Sequence, residues 1–112
     1  MSDTLPADIL RAAAKWLRAA AQDAHRASPA PWSVTDENVV RCADGMIVAD
    51  RSGTDHPAER ADLPYVAAMG PATGAAIVAV LEQAADALEG QDVPADEPVL
   101  VLARQLLEGG PR

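Results

Sequence analysis

The chain has no phenylalanine, and its only aromatic residues are Trp16, Trp32 and Tyr65 among 112. A core without Phe is filled by aliphatic side chains and alanine, and alanine supplies 25 residues here. Alanine buries little area, so such a core is thin and its helices approach closely. The single cysteine, Cys42, excludes an intrachain disulfide and fits a cytoplasmic chain. Lysine is nearly absent, with one against eight arginines; together with the alanine this speaks of a GC-rich coding genome rather than of chemistry. Long apolar runs are missing too. The longest, Ala75 to Leu81, falls far short of the roughly 18 residues that span a bilayer. The opening "MSDTLPADIL" lacks the basic-then-apolar order of a signal peptide. The expectation is a soluble cytoplasmic protein with no membrane partner.

Bases are absent from residues 61–103, which carry seven acids: Asp62, Glu82, Asp86, Glu89, Asp92, Asp96 and Glu97. Residues 1–60 are more balanced, and the net charge is −8. A base-free half repels phosphate, which argues against direct contact with nucleic acid. The acidity has two readings: solubility, or a face for a basic partner that mimics nucleic acid.

The length predicts one domain, residues 1–112. Ile9, Ala13, Trp16, Ala20 and Ala24 recur at helical spacing, widened by Leu10 and Leu17, and predict a helix over 4–27 with Arg11, Lys15, Arg18 and Gln22 opposite. "ASPAP" stops it. Residues 32–50, "WSVTDENVVRCADGMIVAD", change to period two. Trp32 and Val34, then Val40 and Cys42, then Met46 and Val48 form one face of a three-stranded antiparallel meander. Its turns fall at Asp36-Glu37-Asn38 and at Asp44-Gly45, where glycine accepts positive φ. Residues 51–61 are a polar connector. Asp62 is placed to cap a short helix that Gly70 closes as a left-handed residue, and Pro71 opens a helix that runs to about Glu89, ended by Gly90. Val99 to Leu102 alone suits a strand, but Arg104 to Glu108 favours a helix over 97–108. The fold class is α+β: an N-terminal helix, the meander, then two to three C-terminal helices packed on the sheet. Its expected core is Ile9, Trp16, Leu17, Trp32, Val40, Val48, Tyr65, Val66, Ile77 and Leu81.

Reactive chemistry is scarce. Nucleophilic catalysis needs a nucleophile, a base and an orienting group together, and Cys42 reads instead as a small buried hydrophobe within a strand. No glycine-rich phosphate loop occurs. The densest polar cluster is Asp55, His56, Glu59 and Asp62; in a helix its three acids share one face, which suits a divalent metal, while the plain alternative is solvation of a loop entering a helix. His25 suits the end of the first helix, where the dipole favours a cation. A helix-turn-helix reading of 62–89 fails on charge, because its second helix has no base. The first half of the 61–90 stretch is apolar on nearly all sides. Ile77, Leu81, Glu82 and Leu100 are therefore the expected interaction face, for a second copy of the chain or for another protein.

The segment "DLPYVAAMGPATGAAIVAVLEQA" resembles the tail motif of Ead-like small phage and prophage proteins and of small proteins of actinobacteria and their phages. The matching positions are Asp62, Tyr65, Val66, Ala67, Ala68, Pro71, Leu81 and Glu82. The preceding "VVRCADGMIVAD" is similar to the short strand pair that comes before that motif, so the resemblance covers roughly residues 38–85. It implies an accessory product of a mobile element, without an assigned catalytic site. The combined expectation is a non-enzymatic interaction or oligomerisation module with no cofactor. Two alternatives stand beside it: an acidic inhibitor of a basic, nucleic-acid-binding host protein, and a small metal- or ligand-binding domain.

Overall fold

In the computed structural model, residues 5–35, 38–50 and 61–110 are described. The elements run α1 (Pro6–Ala27), β1 (Ser33–Val34), β2 (Val39–Arg41), β3 (Ile47–Asp50), α2 (Leu63–Ala68), α3 (Pro71–Ala87) and α4 (Pro98–Gly109). This is the α+β order anticipated above: a helix, a three-stranded antiparallel sheet in the order β1-β2-β3, then three further helices. The segment 97–108 is helix, not strand, in α4. The chain divides into two units, Met1–Ala20 with Ala75–Arg112, and Ala21–Gly74.

The first unit is a set of helices closed on a core of small residues. Ala7, Leu10, Ala13 and Ala14 of α1 meet Val78, Leu81 and Ala85 of α3 and Ala103 of α4. Five of these eight are alanine, whose small side chain lets packed helices come closer than larger residues do. Ile9, Leu17, Ile77, Ala84, Leu88, Val99, Leu102, Leu106 and Leu107 close the margins. The buried stripe of α1 is centred on Leu10 and Ala14 rather than on Ile9 and Trp16, which stay half buried. Gly90, at φ +72, ends the α3 segment in the left-handed conformation expected of it. Gly110 follows α4 with a negative φ, and its need for glycine is spatial: a Cβ there would overlap the indole of Trp16.

The second unit builds the meander. The Asn38 amide donates to the Thr35 carbonyl at 3.2 Å and Asn38 itself takes φ 60, while Asp36 and Glu37, expected in the first turn with it, lie outside the described residues. The second turn closes with the Gly45 amide donating to the Cys42 carbonyl at 3.0 Å, and Gly45 takes φ +83. The ladder pairs Val34 with Val40 and Val40 with Ala49, but Arg41 with Ile47, so Val48 is an extra residue that breaks the period of two. That bulge re-aims the strand. Met46, expected inward, is 65% exposed and Val48 only half buried. Val39 and Val40 are both buried, so the central strand is covered on both sides.

Leu63 is the buried residue of α2, which lies against β1 and β2. Tyr65, expected in the core, is 70% exposed because the short helix turns Leu63 inward instead. Asp62 takes the N-cap position, but with helical dihedrals (φ −80, ψ −16) and no capping hydrogen bond from its side chain. Gly70 is also corrected: among the described glycines the positive-φ residues are Gly45 and Gly90. Gly70 is buried under Trp32, and a Cβ there would sit 3.2 Å from Cγ and Cδ2 of the indole. The indole is fixed from its other edge, where Nε1 donates to the Ser28 carbonyl at 2.7 Å.

Gly70→Ala is therefore expected to lower stability by about 1–3 kcal/mol, as overpacking does. Gly109→Ala, where a Cβ meets nothing within 4 Å, is expected to be neutral or stabilising. Urea unfolding followed by tryptophan fluorescence checks both, and a wild-type midpoint for Gly70→Ala would show that the indole does not require glycine there.

Candidate functional site

The sides of α3 follow from its sequence at 100° per residue. Val78, Leu81 and Ala85 point into the core, flanked by half-buried Ile77, Ala84 and Leu88. Glu82, Asp86 and Glu89 form a row beside them. Opposite the core lie Ala76, Ala79, Val80, Gln83 and Ala87, all exposed, with Val80 at 53%.

The acidic row is not a free surface. Arg11 Nη1 donates to Glu89 Oε2 at 2.6 Å and Nη2 to Asp86 Oδ1 at 3.2 Å, while Arg18 donates to Glu82. As the position rises along α1 it falls along α3, so the two helices run antiparallel within this unit and the ion pairs set their register. The hydrogen bonds that Arg11 donates to Glu89 first, and then to Asp86, raise its guanidinium above its ordinary value. A base whose value is raised on folding stabilises the fold at all pH below its unfolded value, and the gain is lost only as pH climbs through the higher folded one. Arg11 therefore contributes no pH dependence near neutrality. The pairs are solvent-exposed, so they contribute more to register than to stability. Composition pointed to a strongly acidic C-terminal half; the structure pairs the three acids of one row, Glu82, Asp86 and Glu89, with two arginines at helical spacing, Arg11 and Arg18, which offset two of the three charges. The only advance signal was that Arg11 and Arg18 share one face of α1.

Of the four residues expected to form an interaction face, two are internal. Leu81 is 0% exposed in the shared core of α1, α3 and α4, and Leu100 is 1% exposed. Ile77 is half buried at the margin of the same core. Glu82 is at the surface and is held by Arg18. Three of the four metal candidates, Asp55, His56 and Glu59, lie outside the described residues; Asp62 is exposed at the start of α2. Among the described residues no three His, Cys, Asp or Glu side chains converge on a common point. His25 Nδ1 accepts the Ala30 backbone N–H at 3.0 Å and so ties the end of α1 to the segment leading into β1. Cys42 is 5% exposed beside the second turn. No helix of the described residues is long and apolar enough to cross a membrane. Compared with protein-family models, curated proteins and solved structures, the chain matches none of them.

Two outcomes follow. Arg11→Glu sets a third carboxylate against Asp86 and Glu89 and is expected to lower the urea midpoint; adding Asp86→Lys and Glu89→Lys restores it, and both effects shrink in high salt. If Arg11→Glu is silent at low salt, the ion pairs do not form. Cys42 is expected to react with a disulfide reagent far more slowly in native protein than in urea, since access requires local opening; equal rates would place the thiol at the surface.

Proposed function

We propose that the chain is a non-enzymatic interaction module that self-associates through the outer face of α3. The observation that carries this reading is the absence of charge there. Ala76, Ala79, Val80, Gln83 and Ala87 follow one another along the exposed side of a helix, on a chain of net charge −8. A helix at the surface of a monomer ordinarily turns charged residues outward, and one that is apolar all round is a helix that is covered. Here the acids of α3 are drawn sideways to Arg11 and Arg18, which leaves the outward side without like-charge repulsion between two copies. Small side chains let a second helix come close. The expected face thus moves from Leu81 and Leu100 to the opposite side of α3. We place the module in the cytoplasm on its single cysteine, assign it no cofactor and no direct contact with nucleic acid, and on the motif from Asp62 to Glu82 propose an origin among phage or prophage accessory proteins.

Light scattering coupled to size exclusion tests the reading. The wild type is expected at about twice the chain mass, independent of salt, because the face is uncharged. Val80→Glu with Gln83→Glu is expected to give a monomer with unchanged helical circular dichroism. A wild type that stays monomeric at high concentration would refute self-association, and a double variant that stays dimeric would move the interface elsewhere.

A further inference from the structure

We propose that the groove between α1 and α4 receives a basic amphipathic helix from another protein. Asp8, Ile9 and Ala12 of α1 line it on one side and Arg104, Leu107 and Glu108 of α4 on the other, around about 390 Å³ of open space. Ile9 with Ala12, and Arg104 with Leu107 and Glu108, stand three or four residues apart, so each set lies on one side of its helix. The floor is apolar: Ile9 and Leu107 are half buried and Ala12 is exposed.

The rim is negative. It carries two carboxylates and one guanidinium, and the guanidinium is turned to the preceding loop, where Arg104 Nη1 donates to the Ala95 carbonyl at 3.2 Å. Neither the Asp8 nor the Glu108 carboxylate has a hydrogen-bond or ion-pair partner among the described residues. Glu108 also stands in the last turn of α4, which contains no basic residue. A carboxylate there adds to the negative end of the helix dipole instead of offsetting it. A cation laid over that end relieves both.

The shape selects the occupant. An open, shallow groove does not enclose a small molecule, whereas the ridge of a helix fits between two helices. An apolar stripe on that helix meets Ile9, Ala12 and Leu107, and flanking Lys or Arg residues meet Asp8 and Glu108. A second copy of this chain does not supply such a helix: its own basic helix, α1, has Arg11 and Arg18 engaged by the acids of α3. The groove uses residues other than those of the self-association face, so either proposal can fail alone.

The full chain, labelled with 15N, is titrated with two synthetic helical peptides that share one leucine stripe. One carries lysine on its flanks, the other glutamate. The lysine peptide is expected to shift the amide signals of Ile9, Ala12 and Leu107 saturably, and the glutamate peptide to bind at least tenfold more weakly. Asp8→Asn with Glu108→Gln is expected to weaken the lysine peptide by about fivefold, on the scale of two rim charges. Asp92→Asn with Asp96→Asn, the same change in net charge at two exposed positions, is expected to leave it within about twofold. Equal weakening by the two pairs would reduce the attraction to net charge and overturn the site. Shifts that map elsewhere, equal binding of the glutamate peptide, or no saturable shift would overturn it as well.

Discussion

A core in which five of the eight buried residues are alanine is the constraint from which the first unit follows. With no phenylalanine to hold helices apart, α1, α3 and α4 meet through Ala7, Ala13, Ala14, Ala85 and Ala103 around Leu10 and Leu81. Such a contact tolerates little added volume, since a packed interior has no spare space to absorb it. It also leaves the large residues at the margins. Trp16 lies on the backbone of Gly110, and in the second unit Trp32 lies on Gly70. Each unit thus spends its tryptophan on a glycine, where the flat ring covers main chain that a side chain would hold away.

The same closeness governs the charges. When two helices approach at alanine, the residues beside the seam come within reach of each other, and Arg11 and Arg18 meet Glu89, Asp86 and Glu82 there. Part of an acidic segment read along the chain becomes an ion-paired seam in space. What is left over is more informative than the net charge: an uncharged outer side of α3, and a groove between α1 and α4 where two carboxylates have no side-chain partner among the described residues, above an apolar floor. The two surfaces differ in chemistry, one uncharged and the other rimmed by Asp8 and Glu108.

Much of the architecture was legible because it rests on local rules. The change of period at Trp32, the turns at Asn38 and Gly45, and the Pro71 start and Gly90 stop of the α3 segment all follow from backbone preferences of single residues, and the helix, the meander and the later helices appear where these place them. The failures share one cause. Gly70 was read as a conformational residue and is a spatial one, because the indole that needs the room arrives from 38 positions away. Met46 was read inward, and the bulge at Val48 undoes that parity. Leu81 and Leu100 were read as a face because hydrophobicity along a helix does not say which of its sides another helix will take.

The sequence alone determined the helix and strand periods, the turn positions and the alanine-rich make-up of the core. These depend on residues within a turn or two of each other. Only the tertiary structure decided which side of α3 is left bare, that its acids are matched by Arg11 and Arg18, and that Asp8 and Glu108 share one groove. Those outcomes depend on the rotation of each helix about its axis, and that angle is set by the close fit of small side chains between helices far apart in the chain.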